Sequence, residues 1–205
     1  AWSITTGNPE VVIAVIDTGV DYTHPDLTDN IWINIDEDIN RNSKFDNFDA
    51  SLGGDLDYID NDENNFVDDI IGYDFVDTHI SSKIRLEGED YSDFDNDPMD
   101  KDSHGTHVAG IAAGVSNNEK GISGVCWKCK ILPVRAGYND ADGGELPLDA
   151  ILKSIKYAVD NGADIISMSF GGGASKTQEI ILAYASLNDI VLVASAGNDD
   201  SSGSH

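Results

Sequence analysis

The sequence has 205 residues, 40% of them hydrophobic, which suffices for a packed domain with a substantial core. Its formal net charge of -26 argues against nucleic acid as a partner, because an acidic surface repels phosphates. No apolar run approaches the roughly 18 residues that a membrane-spanning helix needs.

Short, apolar, β-branched runs alternate with helical segments along the chain. The runs are typical of buried parallel strands and occupy 11–16, 131–134, 164–168 and 190–194. The predicted helices occupy 104–115, 147–161 and 177–187. This alternation predicts an α/β fold of three layers with a mostly parallel central sheet. In such sheets, functional side chains collect at the carboxyl ends of the strands.

The first candidate functional residue is Asp17, which ends the first predicted strand in the segment VIDTGVDYTHPDL. Thr18 and Gly19 then turn the chain sharply, which fixes the carboxylate at the edge of the sheet. A D-T-G triplet alone is a weak signal, because aspartic proteases contain it too. The continuation to HPDL makes the motif much more specific.

The segment 29–102 interrupts the α/β pattern. By count along the sequence it holds 23 of the 38 acidic residues and five basic ones. Such a charge density opposes compaction unless cations bind or the segment stays solvated. We predict an insertion of loops and short strands that binds structural Ca²⁺, which prefers carboxylate and carbonyl oxygens. A halotolerant or merely solvated surface is the alternative.

Two stretches of this insertion resemble EF-hand calcium loops, in which oxygen-bearing side chains recur at alternate positions. In the first stretch the predicted ligands are Asp38, Asn40, Asn42, Asp46 and Asp49. In the second stretch they are Asp60, Asp62, Asn64, Asp68 and Asp69. The EF-hand glycine is replaced by Ser43 and Asn65, and asparagine tolerates the left-handed turn better. The second loop is therefore the better candidate.

His104 opens the first predicted helix in the segment SHGTHVAG, where Gly105 permits another backbone to come close. His107 lies three residues further on, so the two histidines could form a metal pair. That alternative, a metal-dependent hydrolase, needs further ligands from another element, and the motif is not H-E-x-x-H.

Cys126 and Cys129 form a single C-x-x-C pair. A structural zinc site needs four ligands, and the sequence has no second cysteine pair. A local disulfide or two free buried thiols are therefore the expected states.

Asn198 follows the last predicted strand in the segment VLVASAGND. Alone it would be an ordinary turn asparagine. The aspartate, histidine and asparagine motifs together, in this order, are very unlikely by chance.

These motifs resemble the subtilase family of serine peptidases, through AWSITTG, DTGVDYTHPDL, DSHGTHVAG, SMSFGG and SAGN. The resemblance implies that residues 1–205 are part of a subtilisin-like catalytic domain. It assigns Asp17 as the orienting acid, His104 as the general base and Asn198 as the oxyanion donor. It also implies a calcium site that includes Asp26 and the loop around Asn117.

The resemblance further implies a cleft for peptide or protein substrates. Its residues would pair with the substrate backbone, form the opposite wall or line the side-chain pocket: Ser169, Phe170, Gly171, Gly143, Gly144, Ser195 and Gly197. Ordinary strand-to-loop turns are the alternative interpretation of these segments.

The family nucleophile lies in a Gly-Thr-Ser-Met-Ala-like motif after the oxyanion asparagine, and this sequence contains no such motif. Ser201, Ser202 and Ser204 follow Asn198 without a strand-to-helix elbow. We therefore expect a secreted serine endopeptidase whose sheet is incomplete at its C-terminal side and whose serine lies on a partner segment. This chain alone should be inactive. An inactive subtilase homologue that binds calcium or peptide is the alternative.

Overall fold

The structure is a computed structural model that describes residues 1–78, 85–173 and 175–198. Within these ranges the strands are β1 Val12–Asp17, β2 Tyr73–Asp74, β3 Lys130–Arg135, β4 Tyr138–Asp140, β5 Gly143–Glu145, β6 Ile165–Met168 and β7 Val191–Ala194. The α-helices in the same ranges are α1 His104–Ala113, α2 Leu148–Asp160 and α3 Lys176–Leu187. Short 3-10 helices span Thr28–Asn30 and Ala50–Leu52.

Five of the strands in the described ranges form a parallel sheet in the order β2-β3-β1-β6-β7. β4 and β5 form a separate antiparallel hairpin. The predicted α/β fold with a mostly parallel sheet is confirmed, and the four strands and three helices predicted from the sequence are all present. β2 and the hairpin were not predicted, because two or three residues are too few to show a periodic pattern.

The central strand β1 is buried on both faces, and its side chains alternate between two apolar cores. Val12, Ala14 and Ile16 pack with residues of α2 and α3. Ile13 and Val15 pack on the other side with residues of α1. The sheet is therefore the middle of three layers, as predicted.

The acidic insertion at 29–102 is mostly loop, and backbone hydrogen bonds attach it to the sheet. The amide of Trp32 donates to the carbonyl of Ile131 in β3 at 2.7 Å, and within the insertion the amide of Asn34 donates to the carbonyl of Ile70 at 2.7 Å. Ile70 and Ile71, which belong to the insertion, are themselves fully buried. The insertion thus shares the core of the molecule through a few apolar residues.

Arg135, the last residue of β3, is 1% exposed and joins the insertion to the hairpin. Its guanidinium donates to the carboxylates of Asp74 and Glu89 and to the carbonyl of Asp90. The second oxygen of Glu89 accepts the amide of Asn139 at 3.1 Å, at the start of the hairpin. This buried ionic cluster fixes where the hairpin lies relative to the sheet.

β7 differs from the other strands of the sheet because most of it is exposed. Val191 is 56% exposed and Val193 is 50% exposed. The adjacent helix α3 also exposes Ile180 and Leu187. The end of the sheet at β7 therefore presents apolar side chains to solvent.

Cys126 and Cys129 are joined by a disulfide, which is the first of the two expected states. Gly7 lies against it, and a Cβ atom at Gly7 would fall 2.0 Å from Sγ of Cys126. The disulfide therefore packs directly on the N-terminal segment. Across the described ranges, no helix is long and apolar enough to span a membrane.

Candidate active site

The structure brings Asp17 and His104 into direct contact at the carboxyl edge of the sheet. Asp17 ends β1 and is 2% exposed, whereas the His104 side chain is 52% exposed. Nδ1 of His104 lies 2.7 Å from Oδ1 of Asp17. The same oxygen accepts the amide of Thr18 at 2.8 Å. A buried carboxylate thus holds one ring nitrogen of an exposed imidazole and leaves the other free to meet a substrate or a nucleophile.

Gly105 explains how the start of α1 comes so close to the end of β1. A Cβ atom at this position would lie 2.1 Å from the carbonyl oxygen of Gly19 and 2.9 Å from Cβ of Asp17. The amide of Gly105 donates to Oγ1 of Thr18 at 3.0 Å. Any larger residue would push the helix away from the strand, and His104 away from Asp17.

Asp100 is a positioning residue that the sequence analysis missed. Its carboxylate accepts hydrogen bonds from the amides of Asp102, Ser103 and Thr106 and from the hydroxyls of Thr18 and Thr106, at 2.5–2.9 Å. Asp100 therefore fixes the loop before α1 to the turn after β1. The signal in the sequence is an acid four residues before the histidine, at a helix start.

The local charges favour a protonated His104. The hydrogen bond to Asp17 raises the pKa of His104, and the nearby charges of Asp102 and Asp100 raise it further, against the effect of desolvation. Burial raises the pKa of Asp17, while the hydrogen bonds from His104 and Thr18 oppose that rise. The side-chain amide of Asn139 donates to the carboxylate of Asp102 at 2.7 Å and keeps that charge in place.

This electrostatic setting predicts a pH profile for the full-length protein. A general base acts in its neutral form, so kcat/KM should fall as the pH drops through the raised pKa of His104, above 6.5. Asp102→Asn removes one of the charges that raise this pKa, so it should move the acidic limb to lower pH. Rates measured between about pH 5 and pH 9 test this. A limb that does not move in Asp102→Asn would contradict the assignment.

Asn198 lies four residues beyond the end of β7 and is exposed. Because the five strands of the main sheet run parallel, the ends of β1 and β7 lie at the same edge of that sheet. The predicted oxyanion donor is therefore on the same edge as Asp17 and His104, and its role stays a prediction. Ser201, Ser202 and Ser204 lie outside the described residues.

The predicted cleft residues fall into two groups at this edge. In the first, the hydroxyl of Ser195 donates to the carbonyl of Phe170 at 3.1 Å, which joins the segments after β6 and β7. In the second, Gly143 and Gly144 lie in the exposed strand β5. Among the described residues no atom lies within 4 Å of a Cβ built at Gly143 or Gly171, so a peptide backbone could approach both. Ser169 and Gly197 lie in the same two connecting segments as Phe170 and Ser195.

His107 does not join His104 in a metal pair with other ligands. It lines a separate surface cavity with Asp21 and His24. Among the described residues, the group of three side chains close enough to hold a metal ion contains no histidine. The geometry thus favours the acid–base pair over the metal-dependent alternative.

The loop after α1 surrounds Asp26, which is 3% exposed. Its carboxylate accepts the side-chain amide of Asn118 at 2.7 Å and the backbone amide of Ile122 at 2.8 Å. Asn117 lies in this loop with a φ of 63°. The structure thus brings Asp26 and the loop that contains Asn117 into contact, as the predicted calcium site requires. Calcium binding by these residues stays a prediction.

In the first acidic loop, Asp38 accepts the amides of Asn42 and Ser43, and Asp46 accepts the side-chain amides of Asn40 and Asn42. Asp49 instead caps the 3-10 helix Ala50–Leu52 by accepting hydrogen bonds from Ser51. Four of the five predicted residues are therefore linked by hydrogen bonds to one another.

In the second acidic loop, Asp60 and Asp62 accept backbone amides of the loop itself, including that of Asn64 at 3.0 and 3.1 Å. Asp68 instead accepts the amides of Asp57 and Tyr58. Asp69 is buried and accepts the hydroxyl of Tyr157 at 2.6 Å and the side-chain amide of Asn64 at 3.0 Å. Burial raises the pKa of Asp69 to about 7.

Comparison with known proteins places this geometry in context. A profile of the subtilase family matches residues 8–205. The thermophilic serine proteinase of Bacillus sp. (strain AK1) is 37% identical over 203 residues, which are 98% of this chain and 36% of that protein. Thermitase of Thermoactinomyces vulgaris is 33% identical over 200 residues, 97% of this chain and 50% of that protein.

The halolysin-like extracellular serine protease Nep of Natrialba magadii is 36% identical over 201 residues, 97% of this chain and 28% of that protein. The chain thus spans half or less of the length of these relatives. Among solved structures, the prenylagaramide maturation protease PagA has a TM-score of 0.52 at 24% identity, over 97% of this chain and 50% of that one. MycP1 without its N-terminal propeptide has a TM-score of 0.54 at 19% identity, over 98% and 46%. At these identities the likeness shows the fold alone.

Proposed function

Because the chain belongs to the subtilase family, we propose that it supplies the acid, the base and an oxyanion donor of a secreted serine endopeptidase. The observation that carries the proposal is the 2.7 Å contact between the buried carboxylate of Asp17 and Nδ1 of the exposed His104. A carboxylate on one ring nitrogen favours the tautomer whose other nitrogen accepts a proton. The pair is therefore arranged to activate a hydroxyl nucleophile.

In the proposed reaction, a serine hydroxyl attacks the carbonyl carbon of a peptide bond while its proton passes to Nε2 of His104. The amide of Asn198 donates to the oxyanion that forms. His104 then gives the proton to the amine nitrogen as the C–N bond breaks, which leaves an acyl-enzyme. Water, activated by the same imidazole, hydrolyses the acyl-enzyme and restores the serine.

The nucleophilic serine is proposed to lie on a further segment of the same protein that packs beside β7. The support is the exposed apolar surface of β7, where Val191 and Val193 would be buried by additional structure. An edge strand of a parallel sheet is normally covered on both faces. Without that segment, we propose that the chain does not hydrolyse peptides.

Structural Ca²⁺ is proposed at the acidic loops and at Asp26. Buried carboxylate oxygens are the ligands that Ca²⁺ prefers, and Asp26 and Asp38 are both almost fully buried. The ion would neutralise part of the negative charge of the insertion and hold its loops, without contact to the substrate. The residues present therefore fit the cation.

Secretion and peptide or protein substrates are also proposed. The disulfide between Cys126 and Cys129 suits an oxidising compartment. The relative from Natrialba magadii is described as an extracellular serine protease. The exposed backbone at Gly143 and Gly171 suits an extended peptide, whose main chain could pair with both sides of the cleft.

The proposed role of Asn198 is tested by Asn198→Ala in the full-length protein. Loss of an oxyanion donor should lower kcat for a peptide substrate by about 100- to 1,000-fold with little change in KM, because the donor acts mainly on the transition state. Asn161→Ala, after α2 at the opposite edge of the sheet, is the matched control and should stay within about threefold. A change in KM alone would contradict the oxyanion role.

A further inference from the structure

Glu37 lies in the acidic insertion and is fully buried, which is unusual for a carboxylate without a basic partner. Oε1 accepts the amides of Asn61 and Asp62 at 2.6 and 3.2 Å. Oε2 is buried as well and has no hydrogen-bond partner among the described residues. A buried acceptor left in this state costs free energy unless another group, such as a cation, meets it.

Two further carboxylates face Glu37 across the second acidic loop. One carboxylate oxygen from each of Glu37, Asp60 and Asp62 lies within 4.8 Å of the other two. Among the described residues, no lysine or arginine forms an ion pair with any of the three. Like charges this close repel one another, so the arrangement requires a positive charge or a proton between them.

The backbone of the loop is already bent around this point. Asp60 accepts the amides of Asn64 and Asn65 at 3.0 and 2.7 Å, and Asn65 has a φ of 76°. This left-handed residue stands where an EF-hand loop has its glycine, and it lets the loop close on itself. One carboxylate oxygen of Asp60 and one of Asp62 thereby lie close to Glu37.

We propose that Glu37, Asp60 and Asp62 bind one Ca²⁺ ion, and that Glu37 serves as the acid that an EF-hand places at the end of its loop. The inference deepens the proposed calcium binding and changes its ligand set, because a residue 23 positions before the loop replaces Asp68 and Asp69. Three carboxylates supply the hard oxygen donors and the negative charge that Ca²⁺ selects.

Asp68 and Asp69 then support the site without touching the ion. Asp68 holds the turn before the loop through the amides of Asp57 and Tyr58. Asp69 connects Asn64 of the loop to the hydroxyl of Tyr157, which is buried on α2. Binding of the ion would therefore join the segment around Glu37, the loop and the core helix into one unit.

The test is calorimetric titration of Ca²⁺ into the EDTA-treated full-length protein, with Glu37→Gln compared with Glu63→Gln. Both variants remove one negative charge, but Glu63 is an exposed residue of the same loop. Glu37→Gln should weaken one calcium site by about 100-fold, because a charged ligand is lost, whereas Glu63→Gln should change it by less than about threefold. Equal effects of the two variants would overturn the proposal.

Melting temperatures provide a second readout that misfolding would not reproduce. In EDTA, Glu37→Gln should melt above the wild type, because it removes one of three repelling charges. In saturating Ca²⁺ the order should reverse, because the wild type binds the ion more tightly.

If Glu37→Gln does not fold, Asp62→Asn should lose the same site, and unchanged binding in that variant would overturn the proposal. None of these readouts depends on peptide hydrolysis, so they fail or succeed separately from the proposed function.

Discussion

Replacing His104 with alanine is expected to lower kcat of the full-length protein for a peptide substrate by about a million-fold. The corresponding loss in subtilisin, a member of the same family, has this magnitude. The physical reason is that, among the described residues, the imidazole of His104 is the side chain that hydrogen-bonds the Asp17 carboxylate and can take the proton of a nucleophile. Without the imidazole, the serine hydroxyl attacks as a neutral and therefore weak nucleophile.

His107→Ala is the matched control for this prediction, because the two histidines lie three residues apart on α1. His107 points to a different cavity, so its loss should change kcat by less than about threefold. The metal-dependent alternative predicts that both variants lose activity. Equal losses in the two variants would therefore contradict the acid–base pair.

Asp17→Asn is expected to lower kcat by about 10,000-fold at neutral pH, again a magnitude known from serine proteases. The amide of asparagine can donate to Nδ1 of His104, which then keeps its proton on Nε2. In that tautomer Nε2 is unable to accept a proton from the nucleophile. The geometry of the pair would change little, since asparagine and aspartate have nearly the same shape.

Two comparisons isolate this effect. Asp102→Asn removes a nearby charge that also raises the pKa of His104 but has no hydrogen bond to the imidazole among the described residues, so it should shift the pH profile without a large loss of kcat. The double variant Asp17→Asn, His104→Ala should be no slower than His104→Ala alone, because the two residues act as one unit. Additive losses would mean that Asp17 acts independently of the histidine.

The parallel strands and the helices were predictable because their signals are local. Val12 to Ile16 form an unbroken apolar run, and α2 carries an amphipathic pattern over more than three turns. The predicted C-terminal end of the first strand also placed Asp17 correctly at the carboxyl edge of the sheet. The contact with His104 was implied only by resemblance, because 87 residues separate the two side chains.

The contributions of Asp100 and Glu37 were not predictable in the same way. Both act through hydrogen bonds or contacts to segments whose position is set by the tertiary fold, not by local periodicity. Asp68 and Asp69 show the reverse case. Their spacing fits a calcium loop. However, Asp69 accepts the hydroxyl of Tyr157 in the core, and Asp68 accepts the amide of Asp57 in the preceding turn. A regular spacing of acids therefore indicates a loop type without fixing which oxygens lie on its inner side.

The most direct test of the account is labelling of the full-length protein with a fluorophosphonate, followed by mass spectrometric mapping of the modified residue. The account predicts a single labelled serine outside residues 1–205, with labelling that falls to background in His104→Ala and persists in His107→Ala. Labelling of no serine in the wild type, or equal labelling with and without His104, would contradict the claim that Asp17 and His104 activate a nucleophile.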